Sequence, residues 1–248
     1  MKLLPYKVES FGISDIGLKR DNNEDVFRIV EEKRFYALAD GMGGHKAGEV
    51  AAQTAVDSIC DAVFALPQNA TPEQTAQFLR ESVAAANSRV FALSRNDPRY
   101  KGMGTTLSCF VLLENVLVYA HVGDSRLYRF RQKFELLTQD HSLRHVVLAK
   151  GGLQESALPS LLFRNVITRA IGTHSTVMPD IGIIPLQAGD LYVLCSDGLT
   201  DYVPEEHVIK TISSPSMTLH EIGKELVNMA LQKGGNDNIT VLLVKIIP

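Results

Sequence analysis

Three times along this chain an apolar, strand-like run halts at an aspartate with a glycine beside it: Leu38-Ala39-Asp40-Gly41, Val122-Gly123-Asp124 and Cys195-Ser196-Asp197-Gly198. Two further acidic positions abut the starts of strand-like runs, Glu24-Asp25 before Val26 and Asp237 before Asn238-Ile239-Thr240-Val241. Strands of one sheet bring their ends together, so acids placed there converge on one edge. Carboxylates held at close range repel, and partial burial adds to the cost. Such a group is relieved by protonation of some members or by a cation among them. All-oxygen donors suit hard cations such as Mg²⁺ and Mn²⁺. A glycine beside an aspartate lets its backbone carbonyl approach an ion closely. Taken one at a time, each Asp-Gly is also ordinary turn chemistry. The recurrence is what points to a shared site.

Periodicity supplies the frame for these ends. Val8 to Ser14 alternates weakly, and Phe35 to Ala39 is a short apolar run; both predict strands. A helix is expected over Glu49 to Leu66, ended by Pro67. A second opens at Thr71-Pro72-Glu73-Gln74, a capping box with proline at the first helical position. Leu79, Val83, Ala86, Val90 and Leu93 form its apolar stripe. The period then changes. Thr105 to Leu113, Val116 to Val122 and Leu127 to Phe130 are β-branched and aromatic-rich, with Glu114-Asn115 as a tight hairpin loop. From Gln139 to about Asn165 the pattern weakens, which predicts an insert lying over the strands. Leu191 to Cys195 and Ile239 to Ile246 predict two more strands. Between them a second capping box, Thr218-Leu219-His220-Glu221, opens a third long helix with the stripe Leu219, Ile222, Leu226, Met229 and Ala230. Strands cluster here instead of alternating with helices, so the expected class is α+β, antiparallel sheets covered by helices.

Composition narrows the class of function. The chain has 248 residues, is 45% hydrophobic and carries a net charge of −3. With no linker-like stretch, one domain over 1–248 is expected. No basic run marks a nucleic-acid footprint. The N-terminus lacks the apolar core of a signal peptide, and no run is long enough to span a membrane. Cys60, Cys109 and Cys195 sit in apolar context and read as buried free thiols of a reducing compartment, hence a cytoplasmic protein, with a monomer as the default state.

Seven short blocks then occur in a telling order: Arg20-Asp21-Asn22-Asn23-Glu24-Asp25, Asp40-Gly41-Met42-Gly43-Gly44-His45, Gly104-Thr105-Thr106, Gly123-Asp124-Ser125-Arg126, Thr168-Arg169-Ala170-Ile171-Gly172, Ser196-Asp197-Gly198-Leu199 and Gly235-Asn236-Asp237-Asn238. The set resembles the metal-dependent protein serine/threonine phosphatases of the type 2C class, bacterial branch. The resemblance implies two packed antiparallel β-sheets flanked by helices, with a variable flap at about 140–166 beside the active site. It implies two core ions, Mn²⁺ or Mg²⁺, and often a third, weaker one. By this resemblance Asp40 bridges the core pair, Asp197 and Asp237 complete the first ion's shell, and Glu24 with the carbonyl of Gly41 binds the second. Asp25 would hold metal-bound water, and Asp124, Asp197 and Asp201 would take the third ion. Arg20 would grip the substrate phosphate. The expected substrates are phosphorylated proteins, often those of a serine/threonine kinase.

The implied chemistry is hydrolysis of phosphoserine and phosphothreonine monoesters by a hydroxide bridging two divalent ions. Arg20 can hold two phosphate oxygens through its planar fork. A serine alkoxide leaves poorly, so a proton donor helps; His45, by its place in the glycine loop, or a metal-bound water could serve. Other phosphatase chemistries do not fit the text. Six residues after the cysteines stand Leu66, Asn115 and Asp201, not the arginine a cysteine phosphatase needs. Asp21 to Glu32 imitates a calcium loop, but Val26 occupies the place of its required glycine. The alternative from another class is a non-catalytic pseudophosphatase that binds phosphoproteins as a scaffold.

Overall fold

The computed structural model describes residues 6–43, 47–149 and 166–247. In chain order the strands are β1 (Lys7–Asp15), β2 (Asp25–Val30), β3 (Phe35–Met42), β4 (Gly104–Thr105), β5 (Leu107–Leu112), β6 (Val116–Val122), β7 (Arg126–Phe130), β8 (Phe134–Leu136), β9 (Asp180–Pro185), β10 (Leu191–Cys195) and β11 (Ile239–Ile247). The helices are α1 (Ala47–Val63), α2 (Pro72–Asn96), α3 (Leu143–Ala149), α4 (Asp197–Thr200), α5 (Glu205–Ile212) and α6 (Leu219–Gln232). One sheet runs β1-β11-β10-β7-β8 and the other β2-β3-β5-β6-β9, with β4 paired to β3. Every pairing is antiparallel.

The two sheets stack, and each carries helices on its outer face. Along β3, Phe35, Ala37 and Ala39 pack toward α1 and α2, while Tyr36 and Leu38 pack toward the opposite sheet. On β10, Leu191, Val193 and Cys195 join α4, α5 and α6, and Tyr192 and Leu194 join the inter-sheet core. Both faces of the central strands are therefore buried. That is why their sequences are near-continuous apolar runs and not a clean alternation. Tyr36 stacks on Phe110 across neighbouring strands, ring centroids 4.8 Å apart, at the middle of the inter-sheet layer.

Both predicted capping boxes form. Thr71 Oγ1 accepts from Gln74 N (3.2 Å) and Thr71 N donates to Gln74 Oε1 (2.9 Å). Thr218 Oγ1 accepts from Glu221 N (3.3 Å) and Thr218 N donates to Glu221 Oε2 (2.8 Å). Thr218→Ala removes this cap from an exposed site. It is expected to cost about 1 kcal/mol, read as a drop of roughly 2–4 °C in thermal midpoint, with activity unchanged.

Some expectations need correction. The α2 stripe continues from Val90 to Ser94, four residues on, and leaves Leu93 38% exposed. A helix of 3.6 residues per turn carries position 93 off the buried face there. Cys109 and Cys195 are buried free thiols, whereas Cys60 is only half-buried because the inward position on that turn of α1 belongs to Ile59. Of the insert expected at about 140–166, residues 150–165 lie outside the described residues. Among the described residues no helix is long and apolar enough to cross a membrane.

Candidate metal centre

The acids meet where the two sheets end together. Asp25, the first residue of β2, is the register partner of Asp40 on β3, so one sheet contributes a facing pair. From the other sheet come Asp197, at the start of α4 just after β10, and Asp237, just before β11. Cys195 and Val241 are register partners, which brings the Asp197 and Asp237 ends side by side. Asp124 lies in the turn from β6 to β7, and Asp201 caps the C-terminal end of α4.

Electrostatics show how close these groups stand. Burial first, then the charges of Asp25, Asp197, Asp124 and Asp237, push the Asp40 carboxyl well above the usual carboxylate range. Asp197 is raised in the same way, by burial and then by Asp124, Asp237, Asp201 and Asp25. Burial lifts Asp124 to about 6, with Asp140 and Asp201 adding to it. Glu24 is raised by burial, against the hydrogen bond from Asn22 Nδ2 at 3.3 Å. Acids distant in sequence thus repel one another in space.

Asp25 is the most informative member. Its Oδ2 accepts from Ser196 Oγ (2.8 Å) and Thr240 Oγ1 (2.7 Å). Its Oδ1 is buried with no donor facing it, and the neighbouring group is another carboxyl, that of Asp40. Burial, opposed by the two hydroxyls, raises Asp25 to about 6. A buried carboxylate oxygen without a donor is costly, and a cation or a water held by one removes that cost. The donor set is all oxygen, which fits Mn²⁺ or Mg²⁺. Among the described residues no three His, Cys, Asp or Glu side chains already close around one point. Repelling carboxyls do not draw in to ligand distance by themselves. The fit rests on the orphaned Asp25 oxygen and on the chemistry of the group.

Neighbouring backbone is built to let these acids approach. A Cβ on Gly41 would stand 2.2 Å from the carbonyl oxygen of Gly48, and a Cβ on Gly48 would stand 2.5 Å from Glu24 Oε2. Only glycines let β3, the first turn of α1 and the Glu24 carboxylate share this space. Thr106 Oγ1 accepts from Asp40 N (2.8 Å), and Thr105 Oγ1 donates to Asp40 O (2.9 Å). Asn238 Oδ1 accepts from Glu24 N (2.8 Å), while its Nδ2 donates to Ile16 O (2.9 Å) and Asn22 O (3.0 Å). Asn238 therefore ties the β1–β2 loop to the start of β11. Arg20, on that loop and half exposed, donates from Nη2 to Asp237 Oδ2 at 2.7 Å.

The structure brings together Glu24, Asp25, Asp40, Gly41, Asp124, Asp197, Asp201 and Asp237, with Arg20 at the rim. His45 lies outside the described residues. Sequence reasoning missed Gly48, Ser196, Thr240 and Asn238 as holders of the acids. A glycine and a few hydroxyls beside strands carry no signal of their own. His121, on β6, is a satisfied core histidine, bonded to Ser108 Oγ (2.7 Å) and Gln139 O (3.1 Å).

Comparison with known proteins agrees with this architecture. Residues 19–241 match the Protein phosphatase 2C family. The chain is 36% identical over 236 residues to serine/threonine phosphatase Stp of Listeria monocytogenes, covering 94% of this chain and 93% of that one. It is equally similar to protein phosphatase PhpP of Streptococcus pneumoniae, 36% over 236 residues, covering 94% and 95%. The solved catalytic domain of serine threonine protein phosphatase PstP, in complex with two manganese ions, superposes with a TM-score of 0.85 at 33% identity, over 97% of this chain and 99% of that one. Stacked antiparallel sheets between helices, with carboxyls gathered where the sheets end, define a metal-dependent phosphatase. The chain belongs to the protein phosphatase 2C family.

Proposed function

We propose that this protein hydrolyses phosphoserine and phosphothreonine monoesters in proteins, using Mn²⁺ or Mg²⁺ held by Asp40, Asp197, Asp237, Glu24 and the Gly41 carbonyl. The observation that carries the reading is the convergence of Asp25, Asp40, Asp124, Asp197 and Asp237 at one edge, where burial and the neighbouring carboxylates hold the Asp40 and Asp197 carboxyls well above their usual range. Such ions, when bound, would supply a nucleophilic water of lowered pKa and offset phosphate charge. The chain's own residues do the rest. Asp25, fixed by Ser196 and Thr240, has Oδ1 left to accept from the attacking water and orient it. Arg20, half exposed at the rim, has guanidinium donors beyond its bond to Asp237 for the equatorial phosphate oxygens. Asp124, Asp197 and Asp201 form a second acidic group suited to a third, weaker ion. His45 is assigned as proton donor by its place in the glycine loop alone. The segment at 140–166 would act as the flap. Substrates would be phosphoproteins made by a serine/threonine kinase, and the protein would work as a cytoplasmic monomer.

The relatives Stp and PhpP, named for phosphatase activity, support this reading. Metal-stripped protein is expected to turn over a phosphothreonine peptide only when Mn²⁺ or Mg²⁺ is added, and to lose that activity again in EDTA. Phosphate release in continuous excess EDTA would sink the proposal, as would tight peptide binding without release in Mn²⁺.

A further inference from the structure

His141 lies outside the acid cluster, yet the structure builds a complete network around it. The segment 137–142 runs along the turn from β6 to β7. Leu137 N donates to Leu127 O (2.8 Å), Leu127 N to Thr138 Oγ1 (3.1 Å), and Arg126 grips Asp140 through Nε (2.9 Å) and Nη2 (2.6 Å). His141 N then donates to Gly123 O (2.7 Å), and Gly123 N donates back to His141 Nδ1 (3.0 Å). Gly123 has φ +114°, and a Cβ there would meet Thr106 Cγ2 at 2.5 Å. The turn is thus pressed onto the residue that holds Asp40, and Asp124 follows immediately.

The tautomer of His141 follows from this contact. A ring nitrogen that accepts carries no proton, so Nε2 carries it. Nε2 faces Asp180 Oδ2 on β9 at 3.1 Å, to which it donates, and Arg169 Nη1 stands 2.9 Å from the same nitrogen. Arg169 Nη1 donates to Asp180 Oδ1 (2.6 Å) and to Met178 O (3.0 Å), so two donors share one carboxylate. The His121 ring backs His141, centroids 4.9 Å apart. Thr168 N donates to His141 O (2.7 Å), beside the isolated bridge between Ser142 and Ile167, which adds a further segment to the same point. His141 is buried, 7% exposed.

We propose that His141 is a positioning residue that ties the Gly123–Asp124 turn to Asp180 on β9, and so fixes where the Asp124 carboxyl stands relative to Asp197 and Asp201. The inference rests on the proposed function only in taking Asp124 as a ligand of a divalent ion. An imidazole suits the task because its two nitrogens accept at one end and donate at the other, across a rigid ring. Residues that orient metal ligands typically change affinity 10–100-fold when lost.

Two substitutions separate the ends of the tie. His141→Asn keeps an acceptor near the Nδ1 position for Gly123 N–H and loses the reach to Asp180. His141→Gln keeps the reach to Asp180 and leaves Gly123 N–H without an acceptor. Mn²⁺ titration of metal-stripped protein by calorimetry, with Asp124→Asn as reference, reads binding without any turnover. The weakest phase, the one Asp124→Asn removes, is expected to weaken about tenfold or more in His141→Gln and to stay within about threefold in His141→Asn. Asp180→Ala, at a half-exposed carboxylate, should weaken the same phase about threefold, and keeps the test alive if His141→Gln does not fold. Equal losses in Asn and Gln would mark a merely structural histidine and overturn the proposal. So would an unshifted phase in His141→Gln, or in Asp180→Ala, or a wild-type isotherm with no phase that Asp124→Asn removes. Wild type that binds Mn²⁺ but releases no phosphate would defeat the proposed function while leaving these outcomes readable.

Discussion

Asp40→Asn is expected to lower phosphothreonine-peptide turnover in saturating Mn²⁺ by about a thousandfold or more, roughly 4 kcal/mol in transition-state free energy. Asp40 is the acid whose carboxyl feels Asp25, Asp197, Asp124 and Asp237 together, so it sits at the centre of the cluster. Asparagine has nearly the same shape but no charge, and a hard divalent ion is held by charged oxygen. The backbone at this position is held by Thr105 and Thr106 hydroxyls, which the substitution does not touch. The variant should therefore fold, and loss of turnover should not be loss of structure. Circular dichroism matching wild type, with kcat reduced at every Mn²⁺ concentration, is the expected pair of results. Activity within about tenfold of wild type would place the chemistry elsewhere.

The same substitution should stabilise the metal-free protein at neutral pH. Asp25, Asp40, Asp124 and Asp197 all have folded-state pKa values above their unfolded ones. The folded protein then binds more protons than the unfolded chain, so this contribution falls as pH rises from about 4 through the folded values. His121, held down to about 4 by burial, acts in the opposite sense, since its unfolded form is charged below about 6.5. That effect cancels when Asp40→Asn is compared with wild type. In EDTA the gap between the two should be smallest at acid pH, where Asp40 is protonated, and the variant should melt increasingly above wild type as pH rises and the Asp40 charge appears, each kcal/mol being worth roughly 2–4 °C at this size. Mn²⁺ at a hundred times its dissociation constant adds about 2.7 kcal/mol per site to wild type, and should add much less to the variant. A variant that melts below wild type at every pH in EDTA would show that the carboxyls do not repel as described.

Legibility in the sequence tracked how local each signal was. The capping boxes at Thr71 and Thr218 were readable because donor and acceptor lie three residues apart. The central strands β3, β5, β6, β10 and β11 were readable because both their faces are buried. β8 and β9 were not, since both are edge strands with exposed positions, and β9 carries Gly182 and Pro185. α5, at 8 residues, offers two turns and too few repeats for a period to stand out. In the site, Asp40, Asp124 and Asp197 were visible because each ends an apolar run, Glu24, Asp25 and Asp237 because they stand just before one, and Asp201 only through the family resemblance. Their holders were not: Thr240 lies 215 residues from the Asp25 oxygen it bonds, and Asn238 lies 214 from Glu24.

By itself the sequence determined the long helices and central strands, their antiparallel clustering and the placing of an acid at each critical strand end, because hydrophobic period and turn chemistry act over a few residues. Tertiary structure alone decided that two different sheets end at the same place, which joins Asp25 and Asp40 to Asp197 and Asp237. It also decided that one oxygen of Asp25 is satisfied and the other left open, and that an imidazole at 141 braces the turn before Asp124. Those contacts depend on how sheets stack and which buried donors then face one another, and no local pattern of residues encodes a geometry formed across the whole chain.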